Sequence, residues 1–337
     1  MKKVILLFLL CITFSGLSAQ GKKVALYKVG FYNLENLFDT INNNGKYDLE
    51  YTPKGDKQWT GQRYALKLKN MARVVKDLDV DILGISEIEN RSVVEDLINT
   101  EAVKDKGYKI VHYDSPDKRG VDVGLIYDPK KFRVLFSQSR RLFIPEKPEF
   151  LTRDQLVVTG LMGGEKVSVI VNHWPSRLGG ESQSSPLREA AAALTKSIAD
   201  SCLKDDPTTK VIIMGDLNDD PSNKSCKDVL GAKKKAKDVK QGGYFNTMWM
   251  HFDRGIGTLA YKGQWNLFDQ IIISENLLKG DNGSLKFSKS EVFNKSYLVN
   301  QEGTYKGYPH RTFAGGVFLN GYSDHFPTLI YLTKEAK

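Results

Sequence analysis

Short apolar runs of strand length recur along this chain, and five of them end in a cluster of acids, amides and histidines. Runs rich in Val, Ile and Leu fall at residues 24–32, 82–86, 108–113, 123–127, 132–136, Gln155–Met162, 166–172, 211–214, 270–274 and 328–332. Their length and β-branched content fit strands of a buried sheet. Between them the spacing changes. Tyr64, Ala65, Leu68, Met71, Ala72, Val75 and Leu78 recur at the interval of one helix face, which predicts an amphipathic helix over 62–78. A second helix is expected over 93–103. Gly163-Gly164, between two strand runs, supplies the positive φ of a tight hairpin turn. Ser185-Pro186 reads as a helix start running to about Leu203, with serine as cap and proline in the first turn. Strands and helices alternate without repeat or long linker, so the expectation is one α/β domain of layered sheets.

The first residues read as an address instead. Lys2 and Lys3 precede an apolar stretch over 4–12, and Gly16-Leu17-Ser18-Ala19 is a small-residue exit. This is the pattern of a secretory signal peptide over 1–19, cleaved after Ala19, with a single domain over 20–337. The stretch is too short for a stable transmembrane anchor, and no later segment approaches the length a membrane helix needs. Leu10 before Cys11 is larger than a lipoprotein signal normally allows. The expected location is therefore secreted or periplasmic. The 337-residue precursor carries a formal charge of +9, and loss of Lys2 and Lys3 with the leader leaves +7. That is mild attraction for polyanions, equally consistent with solubility alone. Cys202 and Cys226 remain after cleavage; export permits a disulfide, and two cysteines fit no zinc-site pattern.

Chemistry is expected where the strands end. Asn33-Leu34-Glu35-Asn36 follows the first run, and alternation puts Asn33 and Glu35 on one side. Glu87, in Ser86-Glu87-Ile88-Glu89-Asn90, is a carboxylate at the end of a buried strand. It needs a cation or a basic partner such as Arg91, and it suits a hard metal ion. Asn172-His173-Trp174-Pro175-Ser176-Arg177 offers His173 and Arg177 to phosphate oxygens. A packing role reads as well for the histidine, and better for Trp174 and Pro175. Gly215-Asp216-Leu217-Asn218-Asp219-Asp220 concentrates carboxylates, with Asp216 and Asn218 two apart and able to face one pocket. Ser323-Asp324-His325 places an acid beside a histidine, and Asp269 is positioned to hold the ring of His325 and fix its tautomer. The lysine-rich run over 231–240 reads as a solvated face. The stretch over 39–50 fails the register of a calcium loop and reads as a turn-rich surface loop.

Taken together and in this order, the clusters resemble the endonuclease/exonuclease/phosphatase superfamily, from about Val24 to Leu332. Gly215-Asp216-Leu217-Asn218 and Ser323-Asp324-His325, with Asp269 between, carry the resemblance most specifically. It implies a four-layer α/β sandwich, two packed mixed β-sheets flanked by helices, with the site at one end of the sheets. By motif position it implies Asp269 and His325 as an acid–histidine dyad, Asp216 and Asn218 as the pair that orients water and phosphate, and His173 against the scissile phosphate. It implies Glu87 as the principal metal ligand, with Glu35 and Asp324 as further metal-side carboxylates. Many relatives have aspartate or asparagine where Glu35 stands. Asn33, Arg177, Arg119 (in Arg119-Gly120-Val121-Asp122) and Arg311 (in His310-Arg311-Thr312) are expected on the substrate side. A structural role is as open for Arg119 and Arg311.

The activity implied is metal-assisted phosphoester hydrolysis with Mg²⁺, Mn²⁺ and Ca²⁺ being alternatives. The first substrate is nucleic acid, cleaved by a secreted nuclease that acts as a monomer without a stable protein partner. A phosphomonoesterase or a sphingomyelinase-like lipid phosphodiesterase is the rival on the same fold. A non-catalytic binding module is the rival of another class. Basic and aromatic side chains beside the site would favour nucleic acid; a protruding apolar hairpin would favour lipid.

Overall fold

The computed structural model of the protein describes residues 24–43, 48–281 and 283–335. The leader expected over 1–19 lies outside them. In chain order the elements are β1 (Val24–Leu37), α1 (Gly61–Leu78), β2 (Ile82–Ile88), α2 (Arg91–Ile98), β3 (Lys109–His112), β4 (Asp122–Tyr127), β5 (Phe132–Arg140), β6 (Gln155–Met162) and β7 (Glu165–His173). They continue with α3 (Glu181–Asp205), β8 (Lys210–Asp216), β9 (Tyr244–Asn246), α4 (Trp249–Asp253), β10 (Leu259–Tyr261), β11 (Gln264–Asn266) and β12 (Asp269–Ser274). The last are β13 (Lys286–Val292), β14 (Phe313–Ala314), β15 (Val317–Phe318) and β16 (Thr328–Glu335).

Two six-stranded mixed sheets dominate, ordered β13-β16-β1-β2-β4-β3 and β5-β6-β7-β8-β12-β9. Each is built around one parallel pair, β1 with β2 and β7 with β8, flanked by antiparallel neighbours. A parallel pair cannot be joined by a tight turn, and helices α1 and α3 make the two crossovers.

Period-two alternation explains the layers. Val29 and Phe31 of β1, Ile82 of β2, Val169 and Val171 of β7 and Ile212 and Met214 of β8 point between the sheets, fully buried. Tyr32, Leu34, Leu83 and Ile85 point the other way, onto Met71, Val75 and Leu78 of α1 and Val94 and Leu97 of α2. On the second sheet Ile170, Val211 and Ile213 meet Ala192, Ile198 and Ala199 of α3. The four layers are thus helices, sheet, sheet, helix, as expected. Each such buried side chain contributes about 1.5–3 kcal/mol relative to exposure. Gly84 lets the sheets close: a Cβ there would come within 2.5 Å of the Met214 sulfur.

Several local expectations need correction. Helix α2 covers Arg91–Ile98, not 93–103, because the Asn90 side chain caps it by accepting the Val93 amide at 3.1 Å. Helix α3 begins at Glu181, ahead of Ser185-Pro186, and holds Pro186 inside. Its first turn is tied by the Ser184 hydroxyl, which donates to the Gly180 carbonyl at 2.7 Å, and by the Arg177–Glu181 pair at 2.8 Å. Strands β9 and β13 had no reading, since β9 is short and β13 is a polar edge strand (Lys286-Phe-Ser-Lys-Ser-Glu). The segment read as a surface loop over 39–50 lies partly outside the described residues, but its flanks are interior. Asp48 is buried, and Tyr51 stacks on Phe38 at 4.4 Å. Cys202 and Cys226 are free thiols. Among the described residues no helix is long and apolar enough to cross a membrane.

Candidate active site

Strand register assembles the site. In the second sheet His173 of β7 lies opposite Asp216 of β8, and Asp216 lies opposite Asp269 of β12. The inward face of β8 runs Ile212, Met214, Asp216, and that of β1 runs Val29, Phe31, Asn33. The alternation that fills the core therefore delivers a polar side chain at the rim of both sheets. These two meet across the sandwich: the Asn33 amide donates to Asp216 Oδ2 at 3.1 Å. Asn33, His173, Asp216, Asp269 and His325 are all buried.

The acids expected on the metal side sit on irregular backbone. Pairing of β1 with β2 slips between Asn33 and Leu37, and pairing of β2 with β4 slips between Ser86 and Ile88. At these breaks Glu35, Asn36 and Glu87 take φ of 48°, 52° and 58°, and Asn218 takes 51° beyond β8. Left-handed backbone costs roughly 1–2 kcal/mol at a residue with a Cβ, and bulges beside active sites re-aim side chains. Glu87 turns its carboxylate to accept the Asn36 amide at 3.0 Å, with Arg119 3.4 Å from its other oxygen. Glu35 accepts the Thr312 amide at 2.6 Å and the Arg311 guanidinium at 3.2 Å. Arg311 also donates to Asp324 at 2.9 Å, so one guanidinium joins the two acids.

Beneath them Lys67 of α1 is wholly buried. Its ammonium donates to Thr312 Oγ1 at 2.7 Å and to the Tyr322 carbonyl at 2.6 Å, 3.9 Å from Glu35. Burial pushes the Glu35 carboxyl up to about 7 and the Asp324 charge adds to this, while Lys67 and Arg311 oppose it. Burial likewise pulls the Lys67 ammonium down to about 8 against the attraction of Glu35, Asp324 and Glu87.

The two histidines are driven apart. His325 Nδ1 lies 2.7 Å from Asp269 Oδ2, and its Nε2 faces Asp216 Oδ2 at 3.8 Å and Asp324 Oδ1 at 4.0 Å. Burial alone would lower its pKa, but the carboxylates of Asp269 and Asp216 overcome that and hold it well above the usual histidine range. His173 Nε2 lies 3.6 Å from Asp216 and 3.9 Å from Glu87. Burial, then the charges of Arg153, Arg119 and His325, push it well below that range. The two imidazoles are thus shifted in opposite directions, an arrangement that suits separate roles for like groups. Burial raises Asp216 to about 6, with His325 opposing and Asp269 reinforcing.

Glu35, Glu87 and Asp324 offer the donor type that a hard divalent cation takes, though Arg311, Thr312, Asn36 and Arg119 hold the Glu35 and Glu87 oxygens here. All their donors are oxygen, and the Lys67 ammonium senses all three charges. Asp216, Asp269 and His325 also bring ligand atoms within 4.8 Å of one another. Asp216 is held by Asn33 and by the Asn218 amide, and Asp269 Oδ2 holds His325 Nδ1, so this trio reads as a proton-handling unit. His112, Asp114 and Asp122 form a second such group. There the Asp122 carboxylate is already saturated by the Ser115 amide at 2.9 Å, the Ser115 hydroxyl at 2.5 Å and His112 at 3.1 Å.

The structure therefore gathers Asn33, Glu35, Glu87, Arg119, His173, Asp216, Asp269, Arg311, Asp324 and His325 at one rim. Asn218 holds Asp216 by its backbone amide at 3.0 Å, while its side-chain amide donates to the Trp174 carbonyl at 2.9 Å. Arg177 is turned to structural work. Its guanidinium donates to the Asn218 carbonyl at 2.9 Å, pairs with Glu181 and Asp219, and lies 4.5 Å over the Phe268 ring. Three contributors escaped the sequence reading. Lys67 left a trace, being a lysine four residues before Met71 on the apolar stripe of α1. Arg153, buried and donating to Asp117 at 3.2 Å and to the Trp174 carbonyl, left none. Ser323, whose hydroxyl donates to the Asn33 carbonyl at 2.7 Å, lay inside a motif already singled out.

Solved structures share this architecture. D. rerio TDP2 complexed with a single-strand DNA product superposes with a TM-score of 0.56 at 12% identity, covering 91% of this chain and 99% of that one. The Bacteroides thetaiotaomicron VPI-5482 mannosyl-6-phosphatase gives 0.55 at 18% identity, covering 91% and 99%. ANGEL2, a 2′,3′-cyclic phosphatase, gives 0.57 at 15% identity, covering 93% and 96%. At these identities the likeness establishes the fold. No protein of curated function matches the sequence. The model of the Endonuclease/Exonuclease/phosphatase family matches residues 28–334, and with the fold and the rim of acids and histidines already in place, the chain belongs to that family of phosphoester hydrolases.

Proposed function

We propose that this chain is a secreted, Mg²⁺-dependent phosphodiesterase acting on nucleic acid. One observation carries the reading: His325, held by Asp269 at 2.7 Å, converges with His173 and Asp216 beside the Glu35, Glu87 and Asp324 carboxylates. Asp216, raised to about 6, can take a proton from an attacking water. Asn33 and the Asn218 amide hold that carboxylate in place. His325, oriented by Asp269, offers positive charge to a phosphoryl oxygen, and His173 offers a neutral donor from the opposite strand. When bound at Glu87, with Glu35 and Asp324, Mg²⁺ supplies Lewis acidity and charge neutralisation.

Two features favour a diester of nucleic acid. Cavities of about 230 and 290 Å³ flank Arg311, so a group can sit on each side of the scissile phosphate. The hairpin beside the site, β10–β11, carries exposed Tyr261 and Trp265 and a lysine, Lys262, at its tip, a basic and aromatic surface instead of an apolar one. The TDP2 structure with bound single-strand DNA product is consistent with this. The mannosyl-6-phosphatase keeps phosphomonoesterase as the second reading. The test is hydrolysis by the purified protein with Mg²⁺ of DNA, RNA, sugar and nucleoside monophosphates, and sphingomyelin. Cleavage of oligonucleotides is expected; turnover of monoesters alone, or of none of these, contradicts the reading. Export is checked by N-terminal sequencing of the mature chain, expected to begin at Gln20.

A further inference from the structure

The larger of the two cavities beside Arg311 has walls that the hydrolytic chemistry does not use. It holds about 290 Å³ between the β10–β11 hairpin, with Tyr261 and Lys262, and the segment carrying Asn300, Tyr305 and Tyr308. Arg311 and Asp324 belong to both this cavity and the catalytic rim. Whatever fills it therefore touches the Arg311–Asp324 pair at the edge of that rim.

Aromatic rings line the approach in series. Tyr305 and Tyr308 have centroids 6.0 Å apart, Tyr308 meets Trp265 edge-on at 5.8 Å, and Trp265 stacks on Phe326 at 6.0 Å and 18°. Phe326 is the residue after His325. At the outer end Tyr261 and Tyr305 remain 65% and 53% exposed, large rings held in solvent on opposite walls of one cavity. The hairpin is not loosely attached. Thr258, just before β10, accepts the Phe326 amide at 2.7 Å through its carbonyl and the Asp269 amide at 3.3 Å through its hydroxyl. It donates its own amide to Asn266 of β11 at 2.8 Å. The same residue thus fixes the aromatic wall and both chain segments of the dyad.

Resting on the nuclease reading, we propose that this cavity is a nucleobase subsite. It takes the unpaired base of a nucleotide adjoining the scissile phosphate, stacked on the tyrosine rings, with Lys262 and Asn300 at the base edge. Planar π faces suit a base on either ring. An alkyl chain would lie against Arg311, Asp324 and Lys262 and leave their charges poorly solvated. A base inside a duplex reaches these rings only by leaving its stack, so single strands are the preferred substrate.

The experiment compares a dinucleotide with its abasic counterpart, and a single-stranded oligonucleotide with its duplex, using wild type and the Tyr261→Ala/Tyr305→Ala variant in Mg²⁺. Expected are faster cleavage of the base-containing dinucleotide than of the abasic one, and of the single strand than of the duplex. In the double variant kcat/KM for the dinucleotide falls roughly 10- to 100-fold, mainly through KM, with the abasic substrate unaffected. Circular dichroism and urea unfolding of the double variant, expected to match wild type, control for folding. Equal wild-type rates with and without the base, or an equal loss on the abasic substrate, overturn the subsite alone. Wild-type protein that cleaves neither dinucleotide nor oligonucleotide overturns the nuclease reading with it, and faster turnover of sugar phosphates that still depends on Tyr305 reassigns the stacked ring to a sugar.

Discussion

Asp269 Oδ2 lies 2.7 Å from Nδ1 of His325, a residue 56 positions further along the chain. The contact fixes which imidazole nitrogen faces the cleft. It also sustains the cationic ring against burial. Replacing Asp269 by Asn removes the charge and leaves the shape. Asp269→Asn is expected to lower kcat roughly 100- to 10,000-fold with little change in KM. Steady-state kinetics on an oligonucleotide, with circular dichroism to confirm the fold, checks this.

Lys67 and Glu35 are a buried pair at 3.9 Å. Removing Lys67 leaves the Glu35 charge to Arg311 alone and strips Thr312 and the Tyr322 carbonyl of a buried donor, so Lys67→Met should cost about 3 kcal/mol in urea unfolding. Adding Glu35→Gln removes the stranded charge. The double variant is expected to recover part of that loss, and a simple sum of two losses would show that the pair is not coupled.

Glu89 gives the clearest pH dependence. Its carboxyl is pushed up to about 7, by burial first and then by the Asp39 and Asp48 charges. A raised carboxyl favours the protonated fold. Its contribution is fully present below the unfolded value near 4.5 and is lost as pH rises through about 7. Glu89→Gln is therefore expected to stabilise the protein by about 1–2 kcal/mol more at pH 8 than at pH 5, allowing for screening by nearby solvent. Thermal melts at the two pH values read the difference; a larger gain at pH 5 would reverse the sign.

Glu87 is the acid whose loss should weaken a divalent ion most. Mg²⁺ at a hundred times its dissociation constant should stabilise the wild type by about 2.7 kcal/mol. With Glu87→Gln the Mg²⁺-dependent rise in Tm should largely vanish. A shift equal to wild type would place the ion elsewhere.

Much of this was legible before any coordinates, for a physical reason. The alternation that fills the space between the sheets forces the next inward residue at each rim to be Asn33, His173 or Asp216, so a pattern of apolar runs ending in polar clusters marks both core and site. What stayed hidden depends on pairing across the chain. Nothing local to Arg153 shows that it will meet Asp117, and nothing around Arg177 shows that Asp219 and Glu181 will claim it. Strand β13 lacked a signal because its exposed edge permits polar residues on both faces. Helix α3 starts four residues ahead of the Ser185-Pro186 signal because the Ser184 hydroxyl and the Arg177–Glu181 pair, both set by contacts outside that dipeptide, tie down an earlier turn.

The central claim is hydrolysis of a phosphodiester by acids that hold a divalent cation and a histidine held by Asp269. Its most direct measurement is the rate of oligonucleotide cleavage in Mg²⁺, in excess EDTA, and for His325→Ala in Mg²⁺. The account predicts a loss of at least about 100-fold in both of the latter conditions, with activity restored when Mg²⁺ is returned to the wild type. Cleavage at the wild-type rate in EDTA, or by the folded His325→Ala protein, would contradict it.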